Sequence, residues 1–121
     1  MPNILFDPTI QGLAETLTLL QRRHEVLASN IANLETPGYR AQDLDFQAVL
    51  RDAFAGTPPE EAALSAQRIE DTNAPPRADG NTVDLDLQMA KLGQNGGRYV
   101  ALARLLGRQI AMLRLAMEGN R

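Results

Sequence analysis

The sequence predicts a mostly α protein: two long terminal helices forming a coiled-coil-like pair, an irregular acidic connector and a short middle helix. Three observations carry this. Apolar residues recur at alternating spacings of three and four in both end segments. Between those segments lies a stretch rich in Ala, Pro and acidic residues. Only 4% of the residues are aromatic and none is Trp, so Leu, Ala, Ile and Met seams must supply most of the burial. A core so thin in large side chains is expected to leave the monomer partly disordered and to be completed by neighbours.

Pro8 suits the first turn of a helix, and Asp7 the N-cap before it. Ile10, Leu13, Leu17, Leu20, His24, Leu27, Ile31 and Leu34 then form an unbroken heptad stripe whose one polar member is His24. A helix over 8–33 is roughly 39 Å long. It should stop near Asn33, because Pro37 disfavours helical geometry at Thr36 and Pro37-Gly38 fits the centre of a type II turn. Asp43 is a candidate cap for a short second helix with Phe46, Val49, Leu50, Ala53 and Phe54 on one side.

Residues 57–80 read as a flexible connector, with four prolines and no sustained apolar period before the turn signal Asp79-Gly80-Asn81. Asn81 or Thr82 is then a candidate cap for a helix whose first turn holds Asp84 and Asp86. Its stripe is Leu85, Met89, Leu92, Gly96, Tyr99, Ala103, Leu106, Ile110, Leu113 and Met117, on a helix of about 34 residues and roughly 50 Å. Gly96-Gly97 lowers helix propensity by about 1 kcal/mol per Gly relative to Ala, leaving open a bend, a close helix approach or simple tolerance. The chain thus divides into 1–56, 57–80 and 81–121.

Net charge is −3 but unevenly spread. Residues 35–90 carry eleven acidic and four basic groups, whereas 91–121 carry six basic and one acidic. Eleven of the twelve basic residues are Arg, which suits interface ion pairs. Nucleic acid is not an expected partner, since the basic stretch holds one aromatic, Tyr99, and no reader motif. There is no Cys, so neither disulfides nor thiolate metal sites are available. No basic segment followed by a long apolar one marks a cleavable secretory signal at the N-terminus.

The most specific stretch is Ala28-Ser29-Asn30-Ile31-Ala32-Asn33-Leu34-Glu35-Thr36-Pro37-Gly38-Tyr39-Arg40. On physical grounds alone, Asn30 and Asn33 stand one turn apart at a helix end, where their amides can satisfy free carbonyls or a neighbouring chain. The Pro-Gly turn then presents Tyr39 as an amphipathic anchor. As a string, S-N-I-A-N followed by T-P-G-Y resembles the signature of flagellar rod, hook and hook-associated proteins. Asp79-Gly80-Asn81-Thr82-Val83-Asp84-Leu85, followed by Asn95 and Tyr99, resembles the segment leading into the C-terminal helix of proximal rod proteins of the B type. The short length agrees with that type, and Gly96-Gly97 departs from its pattern.

That resemblance implies a structural subunit of the flagellar basal-body proximal rod, assembling helically to transmit motor torque and not acting as an enzyme. It implies a location in the basal body, spanning the periplasm, and export without a cleaved signal peptide. The implied partners are other copies of the chain, other rod proteins, the rod-to-membrane-ring adaptor, the membrane ring and the flagellar type III export apparatus. The expected assembly interface draws Leu13, Leu17, Leu20, Leu27 and Ile31 from the first seam. The motif adds Asn30, Asn33, Pro37, Gly38 and Tyr39, and the second seam Leu92, Tyr99, Leu106, Ile110 and Leu113.

No catalytic, cofactor or metal residues are expected. His24 stands without a second His or a carboxylate cluster, and a polar seam member that sets register is the plainer reading. Asp43 and Asp45, like Asp84 and Asp86, are two apart, a spacing that does not bring helical side chains together for acid–base work. A small helical adaptor or chaperone-like binding module is the alternative, and a concentration series separates it from a polymerising subunit.

Overall fold

A computed structural model describes residues 7–48, 51 and 68–119. Helix α1, Pro8–Ala32, starts where Asp7 accepts hydrogen bonds from the N–H groups of Thr9 and Ile10 at 2.9 and 3.1 Å. These satisfy two donors that have no partner inside the helix, and Pro8 occupies a position where a missing N–H is harmless. Asn33 ends it, its N–H still bonded to the last helical carbonyls. The Pro37-Gly38 turn forms as expected. Gly38 takes φ 73°, and the Tyr39 N–H closes the turn on the Thr36 carbonyl at 3.2 Å.

Strand β1, Gln42–Leu44, pairs antiparallel with β2, Arg68–Glu70, Asp43 facing Ile69. The connector expected over 57–80 therefore has a structured second half, whereas 57–67 lie outside the described residues. Asp43 does not cap the middle helix. Asp45 does so, accepting from the Ala48 N–H at 3.2 Å, while Asp43 is drawn inside by two cations. Residues 46–48 and 51 are helical; Val49, Leu50, Ala53 and Phe54 are outside the described residues.

Helix α2, Leu85–Glu118, runs 34 residues through Gly96-Gly97 without interruption. A Cβ at either Gly would meet nothing within 4 Å, so close approach to α1 does not require them. Its N-cap is Asp84, which accepts from the Leu87 N–H at 3.1 Å, with Asp86 in the first turn. Asn81 and Thr82, expected as caps, are committed elsewhere. Helices α1 and α2 lie antiparallel: Asn30 meets Gln88 near the turn, and farther along Asn95 donates to the Leu20 carbonyl at 2.9 Å.

Burial in α1 is broader than one stripe. Leu20 and Leu27 are fully buried on one side. Leu19 and Val26 are buried on the other, where they cluster with Leu44 of β1 and the partly buried Phe46. The helix is thus covered by α2 and by the two-stranded sheet, and its buried face takes in Arg23 and Asn30 but leaves His24 exposed. His24 therefore does not set register from within the seam. On α2 the most buried positions are Gln88 and Asn95, while Leu85, Met89 and Tyr99 of the expected stripe face outward.

Candidate assembly junction

The two sequence motifs meet. Asn30, wholly buried on α1, uses every hydrogen-bonding position of its amide. Its Nδ2 donates to the Gln42 carbonyl at 2.7 Å and to Gln88 Oε1 at 2.9 Å. Its Oδ1 accepts from the Gln42 N–H at 2.9 Å and the Tyr39 hydroxyl at 3.2 Å. One side chain thereby satisfies both backbone groups of Gln42 in β1 and ties that strand to α2.

Beside it lies an ion-pair chain. Arg23 grips Asp43 with two bonds, Nε to Oδ1 at 2.8 Å and Nη2 to Oδ2 at 3.1 Å. Lys91, the chain's only lysine, reaches Asp71 Oδ2 at 2.6 Å and Asp43 Oδ2 at 3.3 Å. Gln88 also donates to Asp71 at 3.4 Å. Two carboxylates and two cations make the cluster neutral, and its members come from α1, β1, the residue after β2, and α2. Burial pushes Asp43 up, but the Arg23 hydrogen bond and charge, the Leu44 N–H and the Lys91 charge outweigh it and hold the carboxyl below its ordinary value. Asp71 is likewise lowered: burial raises it, and Lys91, the Asn73 N–H and Gln88 prevail.

The end of α1 is finished by the second motif. Asn81 Nδ2 lies 3.0, 3.1 and 2.8 Å from the carbonyls of Asn33, Leu34 and Thr36, satisfying groups the helix itself cannot. Arg77 donates to the Leu34 and Val83 carbonyls. The Thr82 hydroxyl accepts from the Ala41 N–H at 2.8 Å, and the Gly38 N–H donates to the Asp79 carbonyl at 2.9 Å. Gly80, at φ 84°, sets its α-carbon region against Gly38; an added Cβ would sit 3.5 Å from the Gly38 Cα. The two turns are in contact, each through a glycine.

Of the residues expected at an assembly interface, Leu20, Leu27 and Asn30 are internal to this chain. Leu13, Leu17, Ile31, Asn33, Tyr39, Leu92, Leu106, Ile110 and Leu113 are half-buried, and Pro37, Gly38 and Tyr99 are exposed. Asn33 donates back to the Ser29 carbonyl of its own helix. The junction residues that the stripes did not mark are Arg23, Asp43, Asp71, Gln88 and Lys91. Their only trace in sequence is the doublets Leu19-Leu20 and Val26-Leu27, seven apart, which announce a helix buried on two sides.

An antiparallel helical pair clasped at one end leaves apolar residues along the outside of its longer helix, a surface suited to packing against other chains. The family described as "Flagella basal body rod protein" matches residues 10–40. The flagellar basal body rod protein FlgB of Escherichia coli K12 is 36% identical, over 94% of this chain and 96% of its own. That of Cereibacter sphaeroides is 34% identical over 88% and 91%, and that of Yersinia enterocolitica 31% over 93% and 96%. The chain belongs to the FlgB family of flagellar basal body rod proteins and is a structural subunit of the basal-body rod.

Proposed function

We propose that this subunit joins further copies of itself and other rod proteins in the helical tube of the proximal rod, carrying motor torque across the periplasm. At its base it meets the rod-to-membrane-ring adaptor and the membrane ring. It travels through the flagellar type III export apparatus with no segment cleaved. The observation that supports this reading best is the polar junction. It ties α1, the strand pair and α2 by directional bonds at one end, leaving the apolar residues along the rest of α2 for neighbours to cover. Leu20, Leu27 and Asn30 serve from inside by fixing α1 against the rest of the chain. Leu13, Leu17, Pro37, Gly38, Tyr99, Leu106, Ile110 and Leu113 supply contact surface.

Purified basal bodies from cells carrying a tagged copy provide the test. The chain should be recovered there with the intact mass of the full sequence. Recovery of a shortened chain would sink uncleaved export, and its absence from the rod fraction would sink the assembly reading.

A further inference from the structure

Two surfaces are left unfilled by the described residues, and they carry opposite charge. The first is a cleft of about 440 Å³ between α1 and α2, on the side of α1 away from Leu19 and Val26. Leu20, Tyr99 and Val100 wall it, Gly96 keeps it open, and Glu25 stands on its rim. Asn95 lies in its floor, 1% exposed, and its Oδ1 has no partner among the described residues. A buried carbonyl oxygen without a donor is costly and calls for one.

The second is the outer side of α2. Ala101, Leu105, Arg108, Met112 and Leu115 repeat at four and three, a heptad stripe on the side turned away from Leu106, Ile110 and Leu113. All five are exposed, Met112 at 63% and Leu115 at 68%. Its one charged member is Arg108, and no described residue forms an ion pair with Arg108 or with Glu25.

We infer that the cleft is a socket for α2 of a second copy, its Arg108 seated between Glu25 and the Asn95 carbonyl oxygen, and its Leu105 and Met112 packed on Leu20, Tyr99 and Val100. This rests on the rod-subunit reading above. A guanidinium has five donors and an apolar stem, so it can serve the carboxylate and the orphaned amide oxygen while its methylenes line the walls. A third helix also closes the open side of a two-helix pair. Because socket and stripe are different surfaces of one molecule, the contact is head-to-tail and repeats from copy to copy, as the helical tube proposed above requires.

The test exchanges charges within one chain. Glu25→Arg and Arg108→Glu each place like charges together in every contact, and the double variant restores opposite charges. Both positions are exposed, and export of each variant into the medium separates lost docking from lost folding or secretion. Each single variant should reduce recovery in basal bodies by about tenfold or more, the effect of a close charge pair, and the double should regain most of it. Singles that assemble like wild type, or whose loss follows failed export, would overturn the proposal. A double as defective as the singles would place a different protein in the cleft and overturn it equally. Wild-type chain missing from the rod fraction would instead remove the reading on which the proposal stands.

Discussion

The two ends of the helical pair are held by different physics. Near the turns, the buried contacts between α1 and α2 are amides and ions: Asn30 with Gln88, and Arg23 with Lys91 through Asp43. Farther along, Leu13 and Leu17 on α1 and Leu106, Ile110 and Leu113 on α2 are only half-buried apolar side chains. Apolar contact is non-directional, so a heptad seam tolerates exchange of one Leu for another or a shift along the helix. Hydrogen bonds with all partners placed tolerate neither. One end therefore sets the register of the helical pair, and the other remains free to take a partner from outside.

The sharpest way to break this comparison is to alter one side chain at each end. Lys91→Met leaves Asp71 buried without its cation, a loss of about 3–5 kcal/mol, whereas Leu106→Ala should cost about 2 kcal/mol or less because its site is half open. Denaturant unfolding of the two variants measures the difference, and equal losses would mean the polar end has no special weight. Acid tests the same ions without mutation. Asp43 and Asp71 have lowered values in the folded chain, so the stability they contribute is present above their unfolded values and is lost as pH falls through the folded ones. The window therefore opens near pH ~4 and continues below it. Hydrogen exchange at the amides of Asn30 and Gln88 should accelerate across it; unchanged protection would show that the ions are dispensable.

A smaller effect is expected at the turns. Gly38 at φ 73° occupies a region that β-branched residues resist, so Gly38→Val should cost about 1–3 kcal/mol and pull Tyr39 from its bond to Asn30. There is open space around the missing Cβ, so the penalty is conformational and not steric crowding. Gly38→Ala should show most of the same loss. If it is neutral, the turn adapts, and the contact with Gly80 is incidental.

What could be read from the sequence follows the same division. Helix ends were legible wherever a local rule acts alone: Asp7-Pro8 at the start of α1, Asn33 at its end, and Gly38 in its turn. Residues whose partners are distant in sequence were not. Asp43 reads as a cap because nothing local shows that Arg23 and Lys91 will surround it. Asn81 reads as the start of α2, yet its amide closes α1, some 48 residues earlier. The heptad stripes found the two helices and the fully buried Leu20 and Leu27 of α1, but mistook the deepest positions of α2, because Gln88 and Asn95 are polar and hydrophobic periodicity passes over them. Most of the junction lay in residues whose types usually mark a surface.

The least effect is expected from Gly96 and Gly97 of α2, and it separates intrinsic helix stability from docking. Both lie inside an unbroken helix, and a Cβ at either meets nothing, so replacement by Ala should stabilise the isolated chain by up to about 1 kcal/mol each. They differ in what they border. Gly97 is exposed, whereas Gly96 lines the cleft beside Tyr99 and Val100. Gly97→Ala should therefore raise the unfolding midpoint and leave recovery in basal bodies unchanged. Gly96→Ala should raise the midpoint similarly while lowering recovery, because the added methyl narrows the space for a neighbour's side chain. Identical behaviour of the two in both measurements would show that Gly96 is there by tolerance alone, and that the open groove beside it is not used.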